Sequence, residues 1–236
     1  MVKLSQRLKA IADQIPKDCI AADVGTDHAW IPIYLLQEKH VLRVILTDSK
    51  EGPLLKAKEN LLSAGLTVAS GDIRRGDGLS VLAPGEASVL IVAGMGGLLI
   101  AKILGDDPAK SHSFHRLILQ PRTASAELRR WLLDNEFVIT EERLAPEGRR
   151  LCEIITAEPR QGCVRQDAFW SPLDYELPPL LFEKKDPWLK KFIQEKLREA
   201  GQIRLHLEDA RDPDAPHRIL AAESRMEQLK EREAML

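Results

Sequence analysis

The chain has 236 residues, of which 44% are hydrophobic and 30% charged, and its formal net charge is −2. This composition predicts a soluble protein with one large domain, or one domain and an appendage, and it excludes a strongly basic chain that attracts nucleic acid over long range. An uncharged run at 87–101 is too short for a bilayer crossing, which needs roughly 20 apolar residues, and the N-terminus lacks the apolar block of a signal peptide.

The cysteines Cys19, Cys152 and Cys163 are odd in number and lack metal-ligand spacing. We therefore expect reduced thiols in a cytoplasmic protein and no metal site.

Helical and strand patterns alternate along the first 133 residues. Helices are predicted at 4–15, 28–36, 52–62, 97–104 and 124–133, and strands at 19–24, 41–46, 66–69, 88–92 and 116–120. Asp27 is expected to cap the second helix. Strands that alternate with helices predict an α/β fold with a parallel, doubly wound sheet covered on both faces.

Two further strands, 137–144 and 151–157, follow without an intervening helix and are joined by the turn 145–148. They predict an antiparallel hairpin on one edge of the sheet. A parallel α/β sheet that finishes in such a hairpin is the layout of the seven-stranded methyltransferase fold, although a fold does not fix the chemistry.

The C-terminal part has a different organisation. Proline, glycine and scattered charge in 159–179 predict a linker, and two apolar stripes at helical spacing, within 188–203 and 219–229, predict two long helices that pack as an antiparallel pair or coiled coil. We assign 1–160 to the sheet domain and 161–236 to the helical domain.

The first strand-to-helix turn is the most informative motif. Asp23 and Gly25 give an acid-any-glycine opening, but Asp27 and His28 stand where a dinucleotide fingerprint would have its second glycine. A pyrophosphate would meet Asp27 as a negative charge. A cationic, phosphate-free adenosine ligand such as S-adenosylmethionine fits this turn better, and an ordinary buried turn is the alternative.

Two further acids follow the next strands. Asp48 ends the second strand and could accept the ribose hydroxyls of an adenosine; Asp77, beside Gly78, could accept the adenine amino group. A helix cap and a turn aspartate are the alternatives. Because parallel α/β sheets bind ligands at the carboxyl ends of their strands, we expect Asp23, Asp48 and Asp77 to converge on one crevice.

A second glycine motif follows the fourth strand. In Ala93-Gly94-Met95-Gly96-Gly97 the exposed backbone could hold the exocyclic amine of a base, or the glycines could serve close helix packing. Gln120, Pro121 and Arg122 end the fifth strand and could border the same crevice or form a structural turn. Trp30 could stack on a base, with a core tryptophan as the alternative.

In these motifs the chain resembles the bacterial tRNA adenine-22 N1-methyltransferases. The matching segments are 4–8, 23–32, 51–53, 76–79, 93–97, 117–121 and the hairpin with Cys152-Glu153. Two positions depart from the family pattern: Arg122 stands in place of asparagine, and Trp30 in place of the common tyrosine.

The resemblance implies an S-adenosylmethionine-dependent enzyme with a Rossmann-like domain and a C-terminal coiled-coil domain, which methylates N1 of an adenine in tRNA. We expect the catalytic residues to be Trp30, Gly94, Met95, Gln120 and Pro121. We expect the cofactor site to contain Asp23, Gly25, Asp27, His28, Asp48, Asp77, Gly78, Ala93 and Gly94.

RNA binding would need a basic face beside the crevice, for which ordinary surface charge is the alternative reading. The candidates are Lys3, Arg7, Lys9, Arg74, Arg75, Arg122, Arg129, Arg130, Arg149 and Arg150. A methyltransferase of proteins or small molecules, and a non-catalytic RNA-binding module that keeps the cofactor pocket, remain alternatives. The oligomeric state stays open, with a monomer as one option.

Overall fold

The structure, a computed structural model, describes residues 2–162, 170–208 and 214–236. The chain divides into two compact units, Met1–Trp170 and Ser171–Leu236. Cys163 and parts of the predicted linker and of the polar stretch between the last two helices lie outside the described residues. The domain boundary after residue 160 stays a prediction.

The first unit contains a seven-stranded sheet in the order β3-β2-β1-β4-β5-β7-β6. The strands are β1 Ile20–Val24, β2 Arg43–Asp48, β3 Ile73–Arg75, β4 Val89–Met95, β5 Arg116–Pro121, β6 Phe137–Glu147 and β7 Arg150–Pro159. The first five are parallel, and β7 runs antiparallel to both β5 and β6. The Rossmann-like methyltransferase sheet with a terminal hairpin is thus confirmed.

In the part of this unit that the structure describes, the α-helices beside the sheet are α1 Gln6–Ala12, α2 Trp30–Gln37, α3 Glu51–Ser63, α4 Gly97–Gly105, α5 Pro108–Ser111 and α6 Ser125–Asp134. The central strands contain apolar runs that are buried on both faces, as parallel sheets require: 44–46 in β2, 89–92 in β4 and 117–119 in β5. Chain order reverses between β1 and β4, so a crevice opens there at the carboxyl ends of the strands.

Two local predictions were wrong. The third strand is not at 66–69, because Leu66 and Val68 pack against the core outside the sheet and pairing with β2 begins only at Ile73. Asp27 does not cap α2, because the N-cap is Ala29 in a left-handed conformation and no side chain caps this end. Both errors arise where tertiary contacts decide the local backbone.

The prediction that Arg129 contributes to a basic surface was wrong, because its side chain is fully buried. Its guanidinium donates to Glu142 at 2.8 Å and 2.9 Å and to Glu153 at 2.6 Å. These contacts join α6 to both strands of the hairpin. The two carboxylates hold the arginine charged although burial opposes the charge.

The second unit contains α7 Pro179–Glu183, α8 Leu189–Glu208 and α9 Ala215–Ala234. Gln194 contacts Glu233, whereas Arg204, further along α8, contacts Glu223, which lies earlier on α9. The two helices therefore run antiparallel, which confirms the predicted helical pair. Whether the pair is a regular coiled coil stays a prediction.

No helix in the described ranges combines the length and the apolar character that a bilayer crossing requires. In the same ranges, no cluster of three His, Cys, Asp or Glu side chains is arranged to hold a metal ion.

We predict that Arg129→Ala lowers the free energy of unfolding by about 3–5 kcal/mol, because it leaves two buried carboxylates without their cation. Urea denaturation measures this loss. Arg116→Ala is the control: it removes a half-exposed pair with Glu158 and should cost less than about 1 kcal/mol. Equal losses for both variants would contradict the proposed importance of burial.

Candidate functional site

A cavity of about 410 Å³ lies at the carboxyl ends of β1, β2 and β4. Nine of the predicted site residues line it: Asp23, Gly25, Asp27, His28, Trp30, Asp48, Ala93, Gly94 and Met95. The sequence-predicted motifs after the first, second and fourth strands thus meet at one site.

The turn between β1 and α2 is held against the end of β2. The backbone N–H groups of Gly25 and Thr26 both donate to the carbonyl of Thr47, at 2.8 Å and 3.1 Å. On its other side, the Asn60 side chain donates to the carbonyl of His28 at 3.0 Å. Because α3 and β2 fix this turn, its side chains face the cavity from a defined backbone.

Two carboxylates in the cavity have different environments. Asp23 is buried, and burial raises its pKa to about 6; the Thr26 side chain offsets part of this rise, and the nearby charge of Asp48 adds to it. Asp48 is half-buried, and one of its oxygens accepts the backbone N–H of Lys50 at 2.8 Å. Asp48 therefore orders the start of α3 and also presents a carboxylate to the cavity.

The glycine motif after β4 divides into two parts with different roles. Gly94 has φ +77° and open space where a side chain would be, and the β4–β5 register shifts there, so its backbone is accessible in the cavity. Gly97 begins α4, and a Cβ atom there would come within 2.3 Å of the Ala124 carbonyl oxygen. The accessible backbone is thus found at Gly94 and the close helix packing at Gly97, the two alternatives that the sequence analysis gave for this motif.

Trp30 is not a core residue, since it is 40% exposed and lines the cavity. Its ring lies nearly parallel to that of His28, with a centroid distance of 5.8 Å. His28 in turn lies 3.3 Å from the Asp27 carboxylate. The cavity rim therefore offers an aromatic face next to an acidic group.

Gln120 and Pro121 line a second cavity of about 280 Å³, which shares Arg7, Gly94 and Arg122 with the first. The buried Gln120 oxygen accepts from Arg7 at 2.9 Å and from the Gly94 N–H at 3.2 Å. Arg7 also donates to Glu147 at 2.7 Å. A chain of contacts thus runs from the hairpin through Arg7 to the backbone of Gly94.

Asp77 and Gly78 line neither of these cavities. Their loop packs towards α4: a Cβ atom on Gly78 would meet Ile103 at 3.3 Å, and the pKa of Lys102 is raised mainly by Asp106 and in smaller part by Asp77. The expected convergence of three acids is therefore found for Asp23 and Asp48, whereas a cofactor role for Asp77 and Gly78 stays a prediction without support from the cavity geometry.

Several lining residues were not predicted for the cofactor or catalytic site: Arg7, Leu8, Thr26, Ala29 and Ile31. Arg122, which was predicted to border the crevice, does line it. Thr26, Ala29 and Ile31 are neighbours of predicted residues and could have been included by adjacency. Arg7 and Leu8 come from α1, and no local signal connects this helix to the crevice. Arg7 contacts Gln120 and Glu147, which lie more than 100 residues away in sequence.

Comparisons with known proteins agree with this geometry. A family model described as a methyltransferase domain matches residues 4–155. The tRNA (adenine(22)-N(1))-methyltransferase of Bacillus subtilis is 33% identical over 98% of this chain and 97% of its own length. This chain belongs to the tRNA (adenine(22)-N(1))-methyltransferase family.

Solved structures of similar chains support the same family. The crystal structure of the B. subtilis M1A22 tRNA methyltransferase TrmK is 31% identical, with a TM-score of 0.83 over 98% of this chain and 99% of that one. Sp1610 of Streptococcus pneumoniae, in complex with S-adenosyl-L-methionine, is 31% identical, with a TM-score of 0.78 over 95% of this chain and 100% of that one. The predicted family resemblance is confirmed.

The raised pKa of Asp23 predicts a pH-dependent stability of the free protein. Between its unfolded pKa of about 4 and its folded pKa of about 6, the folded state binds more protons, so stability falls by about 2–3 kcal/mol as pH rises through this window. Asp23→Asn should lack this loss. The free energy of unfolding of the variant, measured by urea denaturation, should therefore increase relative to that of the unsubstituted protein from pH 4.5 to pH 7.5. An equal growth for the exposed control Asp77→Asn would contradict this origin.

Proposed function

We propose that this protein transfers the methyl group of S-adenosylmethionine to N1 of an adenine in tRNA, at position 22 by its family. The observation that carries the proposal is one cavity, at the strand ends of a chain of this family, in which two carboxylates, an accessible glycine backbone and an aromatic ring meet. S-adenosylmethionine supplies an electrophilic methyl group when it is bound.

The residues of the cavity fit this cofactor. Asp23 is a buried carboxylate whose charge is disfavoured in the free protein, so a cationic ligand beside it gains from the relief of that penalty. Asp48, at the end of the next strand, can accept ribose hydroxyls with the oxygen that does not bond to Lys50. Sp1610 of S. pneumoniae, similar along its whole length, has been solved with S-adenosyl-L-methionine.

The chemistry asks the protein chiefly to position the base. N1 of neutral adenine has a lone pair, so no proton must leave before transfer, and we assign no general base. Gln120 holds the N–H of Gly94 on the β5 side, so the trans peptide directs the Ala93 carbonyl to the opposite side, towards β1. That carbonyl is our candidate acceptor for the adenine amino group, where it would stabilise the positive charge that develops on the base.

The partner and the location follow from the same proposal. The partner is tRNA. The cytoplasm is the proposed location, supported by the tRNA substrate and by Cys19 and Cys152, which are free thiols. A monomer is the simplest assembly, and sedimentation equilibrium tests it.

The direct test is to incubate the protein with unmodified tRNA and methyl-labelled S-adenosylmethionine, followed by mass spectrometry of the nucleosides. We expect 1-methyladenosine, mapped to a single position in the tRNA. Transfer to proteins or small molecules but not to tRNA would support the first alternative, and cofactor binding without any transfer would support a non-catalytic module.

We predict that Asp48→Ala weakens S-adenosylmethionine binding about 10- to 100-fold, because charge-assisted hydrogen bonds contribute about 1.5–3 kcal/mol each. Isothermal calorimetry measures the affinity, and circular dichroism checks that the variant is folded. Glu59→Ala is the matched control. Because Glu59 is an exposed acid on α3 and lies outside the cavity lining, its loss should leave the affinity unchanged.

We predict that Trp30→Ala lowers kcat/KM for tRNA about 5- to 100-fold, since stacking on a base contributes about 1–3 kcal/mol. Trp30→Phe keeps an aromatic face and should retain most of the activity. Cofactor affinity is measured in parallel. A loss confined to cofactor binding would show that Trp30 contacts the methyl donor instead of the base.

A further inference from the structure

The second cavity has a position of its own in the fold. It lies between the end of β5 and the turn of the β6–β7 hairpin, and it shares a wall with the proposed cofactor cavity at Arg7, Gly94 and Arg122. A molecule whose base occupied the first cavity could therefore extend directly into the second. The proposed function leaves this cavity without an occupant.

The charges that line the second cavity are unevenly paired. Glu147 is bound by Arg7 at 2.7 Å, and Glu153 by the buried Arg129 at 2.6 Å. By contrast, within the part of the chain that the structure describes, the guanidinium groups of Arg122 and Arg150 have no ion pair or hydrogen bond. Each carboxylate thus has a basic partner, although Arg129 also pairs with Glu142, and two arginine side chains remain available to an anion.

The remaining walls favour an anion as well. Cys152 adds no negative charge at neutral pH, because burial, followed by the charge of Glu147, raises the pKa of its thiol. Ser125 also lines the cavity and is the first residue of α6, whose N-terminal end carries a partial positive charge. Ser125 and the neutral thiol of Cys152 therefore add no negative charge to this lining.

We propose that this second cavity binds a phosphodiester group of the substrate RNA beside the target adenosine, through Arg122 and Arg150. The proposal rests on the proposed function and names the residues that hold the RNA backbone. Guanidinium groups suit this ligand because their planar donors match the oxygens of a phosphate. The ribose that joins a base to its phosphate would then span the wall between the two cavities.

Several of the other basic residues are already paired or buried. Of the cations first considered for a basic face, Arg74 is bound to Glu86 at 2.6 Å, Lys9 is paired with Asp13, and Arg129 is buried. Such pairs offer little to a phosphate. Arg122 and Arg150 combine free guanidinium groups with a cavity adjacent to the reaction site.

The test measures tRNA binding by Arg150→Ala over a range of salt concentrations. Arg150 is exposed and lines only the second cavity, so the variant should fold normally and bind S-adenosylmethionine as tightly as the unsubstituted protein. We expect tRNA affinity to fall about tenfold at low salt and the slope of log K against log salt to become less negative by about 0.7–1. Arg150→Lys should retain most of the slope.

Lys17→Ala is the matched control, because Lys17 is an exposed cation shortly before β1, at the amino end of the strand, whereas the cavities lie at the carboxyl ends of the parallel strands. It should change neither the affinity nor the slope. Arg122→Ala should reproduce the changed slope, and combining it with Arg150→Ala should add less than the sum of the two effects, since both contact one phosphate.

Four outcomes decide the proposal. An Arg150→Ala protein that binds tRNA like the unsubstituted protein, or no differently from Lys17→Ala, overturns it. A loss of cofactor affinity in Arg150→Ala equal to its loss of tRNA affinity also overturns it. If the unsubstituted protein neither binds nor methylates tRNA, the proposed function itself has failed, whereas normal methylation with unaffected variants refutes the phosphate site alone.

Discussion

The site depends on one structural constraint, the tying of the β1–α2 turn to the end of β2. Two backbone N–H groups of the turn donate to a single carbonyl, that of Thr47, so the chain after β1 cannot move away from the sheet. This position places Asp23 under the turn and Asp48 next to it. A buried carboxylate beside a second acid is unfavourable in the free protein, and its raised pKa records that penalty. Binding of a cation turns the same arrangement into a source of affinity.

The parts of the site that the sequence predicted are those in which function follows locally from a strand end. Asp23, Asp48 and Gly94 each stand at the carboxyl end of an apolar run, and the geometry of a parallel sheet brings such ends together. Asp77 lines neither cavity: it follows a three-residue strand, in a loop that packs towards α4, and its cofactor role stays a prediction. The third strand was predicted at 66–69 but begins at Ile73, so the distance in sequence from the predicted strand did not locate Asp77 correctly.

Other features could not be predicted because their causes lie far apart in sequence. Arg7 meets Gln120 and Glu147 only after α1, β5 and the hairpin have assembled, and Arg129 is paired by Glu142 and Glu153 from both strands of that hairpin. In the sequence, both arginines were interpreted as surface charge for RNA. Burial and pairing are properties of the tertiary structure, so a list of cations overstates the charge that a partner meets.

The two adjoining cavities separate charge in a way that matches a nucleotide and a cationic donor. Asp23 and Asp48 line the first and Arg150 lines the second, with Arg7, Gly94 and Arg122 in the wall between them. Because Arg7 links Glu147 of the hairpin to Gln120, and Gln120 holds Gly94, a displacement of the hairpin would alter the peptide proposed to hold the base. A phosphate bound next to the hairpin would therefore act on the same contacts that orient the adenine. Recognition of the RNA backbone and placement of the reacting base are therefore coupled. Both depend on local charges in the two cavities, since the chain as a whole carries a net charge of −2 and does not attract RNA over long range.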